Sequence, residues 1–248
     1  MTYCLAMRLC EGLLFLSDTR TNAGVDNIGT YRKLHVRQPS TDRVFVIQSA
    51  GNLATTQQVL DRIDRDLAAG AAESLATVNH LFEAALYVGR LSRETAAEHR
   101  DALRNVGADG TATFILGGQL AEQEPDIFLV YPEGNYIRAS DDLPFLQIGE
   151  AKYGKFFLEL AVRAEVDMAT AGKIALSSML STAHANLSVG PPYDTGFYRR
   201  DTLELHELRI EADSPYIDEL HGVWTRHLLA AIEQLPRVPE EAMAAGRL

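Results

Sequence analysis

The stretch TYCLAMRLCEGLLFLSD, residues 2–18, decides the fold. Tyr3, Leu5, Met7 and Leu9 are apolar on one parity while Thr2, Cys4, Ala6, Arg8 and Cys10 take the other, which is the period of a β-strand. Glu11 and Gly12 supply a turn signal. Leu13, Leu14, Phe15 and Leu16 then make a short apolar run of the kind found in strands covered on both faces, closed by Ser17 and Asp18. Residues 3–18 therefore read as a β-hairpin that starts directly behind Met1 and Thr2.

Working outward, strands are predicted over 31–36 and 43–48, around a polar turn with Pro39, Ser40, Thr41 and Asp42. Leu53, Leu60, Ile63 and Leu67 fit a helix over 52–69, and a second helical region runs over 73–103 with a break near Gly89. Strands follow over 111–120, 126–131, 135–139 and 145–149, with Pro132, Glu133 and Gly134 as a hairpin tip. Tyr153, Phe156, Phe157, Leu160, Ala161 and Ala164 form a helical stripe. A helix over 168–185 carries a face of Ala171, Ile174, Ala175, Ser178, Met179 and Thr182, small enough for close contact. Strands near 196–200 and 203–210 precede a helix over 215–235, with Ser214 as N-cap and Pro215 at its first position. Its residues Tyr216, Leu220, Val223, Trp224 and His227 read as a core face, with a subunit contact as the other reading. No linker or repeat divides the chain, so one domain is expected over 1–235, followed by a mobile tail over 236–248. Stacked sheets covered by helices on both outer faces would bury this order of elements, an α+β four-layer sandwich.

Composition excludes several functions. The 248 residues are 46% hydrophobic and 23% charged, ordinary usage for a folded protein. With 34 acidic against 23 basic residues the net charge is −11, which repels a phosphate backbone and gives no reason to propose nucleic acid as a partner. No apolar run, that over 12–16 included, comes near the roughly 18 residues of a spanning helix, and no signal core follows the N-terminus, so no membrane partner and a cytoplasmic location are expected. Cys4 and Cys10 on one strand would lie about 20 Å apart. A disulfide needs Cα atoms within about 7 Å, so both read as reduced thiols. The seven histidines include no His-Glu-x-x-His and no Cys/His cluster, and the glycines at 107, 110, 117 and 118 lack phosphate-loop spacing, so neither a metal nor a cofactor is expected.

A strand starting at Thr2 gives that residue its chemical interest. Methionine aminopeptidases remove Met1 ahead of a small second residue, and the exposed threonine would join a nucleophile and a base in one residue: the hydroxyl attacks and the α-amine, with a reference pKa near 8, takes the proton. Asp18 at the end of the return strand and Lys33 in the next predicted strand complete the candidate set. Lys33 beside the amine would disfavour its protonated form, and Asp18 would hold Lys33 charged and oriented. Taken singly, Asp18 reads as a turn residue and Lys33 as a solvated charge; together with Thr2 they form a specific constellation.

Thr2, the segment Asp18-Thr19-Arg20-Thr21-Asn22-Ala23-Gly24 and Arg32-Lys33-Leu34 resemble the opening of a proteasome β-type subunit of the N-terminal nucleophile hydrolase superfamily. Residues 18–27, 147–155 and 186–192 resemble more closely the bacterial proteasome homologues of the Anbu family, and the likeness extends to about residue 235. The resemblance implies an αββα sandwich, no propeptide, identical subunits assembled into a ring-like or helical particle, and hydrolysis of peptides or unfolded protein by threonine. It implies further that Arg20 supports the turn of Asp18, that the strand with Thr21 and Asn22 pairs with an extended peptide, and that N–H groups near Gly149 contribute to an oxyanion hole. Glu150 stands where most proteasome subunits have serine, and Asn186, Ser188 and Gly190 match the late Asp-x-x-Ser-Gly only loosely. A buried Glu150 beside Thr2 would raise the amine's pKa. Two other readings therefore stay open, an amidase of small amides and a catalytically weak assembly or binding module. The sequence leaves an ATPase unfoldase as partner open.

Overall fold

The protein is described here by a computed structural model that covers residues 1–22 and 28–237. Residues 23–27, part of the segment that carried the resemblance, and residues 238–248 of the expected tail lie outside the described residues. Close contacts divide the chain into a unit Met1–Ala212 and a second that starts at Asp213.

The opening hairpin forms as β1 (Tyr3–Leu9) and β2 (Gly12–Asp18), in register from Cys4 opposite Ser17 to Leu9 opposite Gly12. β10 (Phe145–Gly149) flanks β1, and β11 (Tyr193–Arg199) and β12 (Leu205–Ile210) extend the sheet beyond β2, giving the order β10-β1-β2-β11-β12. A second antiparallel sheet of five strands runs β5 (Leu34–Ser40), β6 (Arg43–Gly51), β7 (Ala112–Leu120), β8 (Asp126–Val130) and β9 (Tyr136–Arg138). β3 (Arg20–Asn22) and β4 (Ile28–Thr30) make a separate two-stranded sheet. The helices are α1 (Leu53–Ala68), α2 (Leu81–Asn105), α3 (Lys152–Ala161), α4 (Met168–Ala185) and, in the second unit, α5 (Pro215–Glu233).

Apolar clusters among the described residues order the layers of the first unit. Between the sheets, Cys4, Ala6, Leu13 and Phe15 pack with Val44, Val46, Ile115, Ile127 and Ile148. On the far side of the second sheet, Phe45, Ile47 and Leu116 pack with Val59, Ile63, Ala84 and Val88 of α1 and α2. α4 lies on the outer face of β1 and β2, with α3 beside it. The order is thus helices, sheet, sheet, helices, the expected αββα sandwich. The alternation in β1 follows from it: small Cys4 and Ala6 fit between the sheets, while the larger odd residues lie beneath the helices. Every β1 residue except Arg8 is buried.

Several expected elements are corrected. The strand expected over 31–36 begins only at Leu34 and continues to Ser40. The helical region over 73–103 is one unbroken helix from Leu81, and Gly89 is no break. A Cβ on Gly89 would stand 2.4 Å from Gly134 O, so the glycine lets α2 touch the hairpin tip. α3 exists, but its aromatic stripe faces outward: Tyr153, Phe156 and Leu160 are 46%, 64% and 65% exposed, whereas Gly154 and Leu158 are buried. In α5 only Ile217 is buried, so the expected core face is not one, and Ser214 occupies the N-cap without a side-chain capping bond. Among the described residues no helix is long and apolar enough to cross a membrane.

Candidate active site

Asp18 ends β2 with no solvent exposure, and three donors converge on its carboxylate. Lys33 Nζ lies 2.6 Å from Oδ1, the Tyr3 N–H donates to the same oxygen at 3.0 Å, and the Gly190 N–H reaches Oδ2 at 3.3 Å. Lys33 precedes β5, is 3% exposed, and gives a second hydrogen bond to Arg20 O at 2.7 Å. Its backbone is held by Ser49 N–H on Lys33 O, at the end of β6. Burial pushes the Asp18 carboxyl above the ordinary aspartate range, against the pull of the Lys33 ammonium and the two amides.

Thr2 joins this pair through the chain itself. The Tyr3 N–H bound to Asp18 belongs to the peptide bond that follows Thr2, and the carbonyl of that bond accepts the Glu150 N–H at 2.7 Å. Thr2 is half-buried behind an exposed Met1. Gly149 permits the close approach: its φ is +82°, and a Cβ there would sit 2.0 Å from Thr2 O. In this turn the Glu150 N–H is engaged with Thr2 O and the Ala151 N–H with Gly149 O.

The supporting residues form a second tier. Arg20 Nη1 donates to Leu187 O at 2.7 Å and to Val189 O at 3.5 Å, so it fastens the late loop whose Gly190 reaches Asp18. Asn186 Nδ2 donates to Glu150 Oε2 at 3.0 Å, and Asn186 Oδ1 accepts the backbone N–H of Ser188. Glu150 is 9% exposed, with the Asn186 amide on its carboxylate. Thr21 and Asn22 lie on β3, opposite Gly29 and Ile28 of β4. Cys4 is buried between the sheets with its thiol directed at Ser49 O, 3.8 Å away, and burial pushes that thiol well above its ordinary range. Among the described residues no group of three or more His, Cys, Asp or Glu is placed to hold a metal ion.

Sequence reasoning passed over Tyr3. Its hydroxyl is buried and shares hydrogen bonds with Ser178 and Gln147. The available signal was a tyrosine, not phenylalanine, at an inward strand position, because a buried hydroxyl demands a partner.

No protein-family model and no curated protein matches the chain. Solved structures do. The chain is similar to Anbu from Hyphomicrobium sp. strain MC1 at 43% identity and a TM-score of 0.86, covering 96% of this chain and 100% of that one. It is similar to Anbu from Yersinia bercovieri, described as an ancestral beta-subunit, at 40% identity and 0.88, with the same coverage. It is also similar to Anbu in a helical assembly of the complex from Pseudomonas aeruginosa, at 40% identity and 0.89, covering 96% of this chain and 98% of that one.

Proposed function

The chain belongs to the Anbu family of proteasome β-subunit-like proteins, and on that premise we propose that it is a threonine-type peptidase acting on peptides or unfolded protein. The observation that carries the reading is the buried Asp18–Lys33 pair, joined to Thr2 through the Tyr3 amide. Removal of Met1 frees the Thr2 α-amine. Thr2 Oγ1 then attacks the carbonyl carbon of a peptide bond, and its proton passes to the amine. As the C–N bond breaks, that proton goes to the departing amine, and the acyl group stays on Thr2 as an ester. Water hydrolyses the ester and restores the hydroxyl. Lys33, held charged by Asp18, keeps the α-amine unprotonated, while Arg20, Asn186 and Ser188 fix the loop behind them. The edge of β3 away from β4 offers Thr21 and Asn22 as a pairing strand for an extended substrate.

The test is direct. Intact-mass measurement should show loss of Met1, and Thr2→Ala should abolish both hydrolysis and covalent labelling by a threonine-directed electrophile. Active protein that retains Met1 would sink the mechanism.

Glu150 favours a second reading, the catalytically weak assembly module. Its backbone N–H is bound to Thr2 O, and a negative charge on the same residue would stabilise the ammonium form of the freed amine and oppose Lys33. Glu150→Gln should move the acid limb of the rate profile to lower pH and raise the rate at neutral pH. An unchanged profile removes Glu150 from the argument. Self-assembly of identical subunits is part of both readings, supported by the helical assembly of the Pseudomonas aeruginosa relative.

A further inference from the structure

Tyr3, the first residue of β1, is held at both ends. Its N–H donates to Asp18 Oδ1 at 3.0 Å, and its hydroxyl lies 2.7 Å from Ser178 Oγ on α4. The Gln147 side-chain amide on β10 donates to the same hydroxyl. Ser178 Oγ donates onward to Gly154 O on α3 at 3.1 Å, so Tyr3 is the donor in its bond to Ser178. Burial pushes the phenol up to about 12, which keeps that proton in place at working pH. There is no slack around the tether: a Cβ on Gly154 would stand 2.3 Å from Ser178 Oγ and 2.5 Å from the Tyr3 hydroxyl.

The peptide plane between Thr2 and Tyr3 is thus held on three sides. Its carbonyl takes the Glu150 N–H, its N–H goes to Asp18, and the ring that continues it is anchored beneath the α3 and α4 layer. Once Met1 is gone, Thr2 is covalently attached on one side only, at a chain end where fraying is the default. A phenylalanine would fill the same space, so packing does not account for the hydroxyl.

We propose that Tyr3 is the positioning residue of the nucleophile: the tether from its hydroxyl to Ser178 and Gln147 fixes the Thr2–Tyr3 peptide plane, and with it the threonine hydroxyl and amine against Asp18 and Lys33. The proposal rests on the threonine-peptidase reading. Small displacements of a reacting group are costly, on the order of a hundredfold in rate for about 1 Å.

The experiment compares Tyr3→Phe with Tyr87→Phe in the full chain after Met1 removal. Tyr87 is likewise buried and donates to Asp66 Oδ2 at 2.8 Å, but it lies on α2 in the other helical layer. Tyr3→Phe should slow labelling of Thr2 by a threonine-directed electrophile about tenfold or more, whereas Tyr87→Phe, with a comparable loss of melting temperature, keeps the wild-type rate. Ser178→Ala should reproduce the loss, and the double variant should add little to it, as expected of residues acting through one contact. Wild-type labelling rates in Tyr3→Phe, or equal losses in the two tyrosine variants, overturn the proposal. Should wild-type protein itself not label, the peptidase reading fails, and exchange of the Tyr3 amide hydrogen then decides. Faster exchange at that amide in Tyr3→Phe than in Tyr87→Phe upholds the tether, and equal exchange refutes it.

Discussion

At Lys33 the chain sets an ammonium that is 3% exposed against a carboxylate with no exposure, 2.6 Å apart. Such a pair adds little net stability over an apolar pair, but stripping one partner leaves a buried charge uncompensated, at about 3–5 kcal/mol. Lys33→Met should lower the free energy of unfolding by that amount in urea titration and abolish hydrolysis. Asp18 has a pH signature with a definite sign. Its carboxyl is raised in the fold above an ordinary value near 3.8, so its contribution to stability is full below that value and is lost as pH rises through the folded pKa. Urea midpoints should therefore show wild type gaining on Asp18→Asn as pH falls toward 3.8, while the proposed hydrolysis should decline, since that reading requires an ionised aspartate. A parallel pH course for the two proteins would remove burial as the cause of the shift. Residue types and order made Thr2, Asp18 and Lys33 legible in the sequence. The Gly190 amide on Asp18 and the Ser178 hydroxyl on Tyr3 were not, because those partners are separated by 172 and 175 residues and no local pattern links them.

Among the elements, period was a sound guide to type and a poor one to orientation. α3 has a clean apolar stripe, yet Gly154 and Leu158, on its flank, are the residues that are buried. A helical period says which residues share a face; the neighbouring layers decide which face turns inward. α2 carries a related lesson at Gly89, read as a break from its propensity and found in an unbroken helix against Gly134. Gly89→Ala should accordingly destabilise the protein by about 1–3 kcal/mol through overpacking, although alanine is the better helix former. A gain in stability would show that the hairpin tip can retreat. At α1, Asn52 accepts the Thr55 N–H and also donates to Asp109 O. Asn52→Ala should cost about 1 kcal/mol as a lost N-cap, read as a lower urea midpoint.

For the molecule as a whole, the proposed particle predicts a sedimentation mass many-fold above the 27.3 kDa of one chain. A monomer at micromolar concentration would refute self-assembly. The sandwich itself was foreseeable, since hairpins and helix pairs in this order have few ways to bury their apolar faces. The sequence by itself determined the opening hairpin with its alternation of large and small residues, the identity of the candidate nucleophile with its two charged partners, and the family likeness. Tertiary structure alone decided that Asp18 is closed over by the late loop, that Tyr3 is tied to the α3 and α4 layer, and that the aromatic stripe of α3 faces outward. The physical reason is one of range: backbone periodicity is a local property, whereas burial and hydrogen-bond partners are settled only when layers distant in sequence come together.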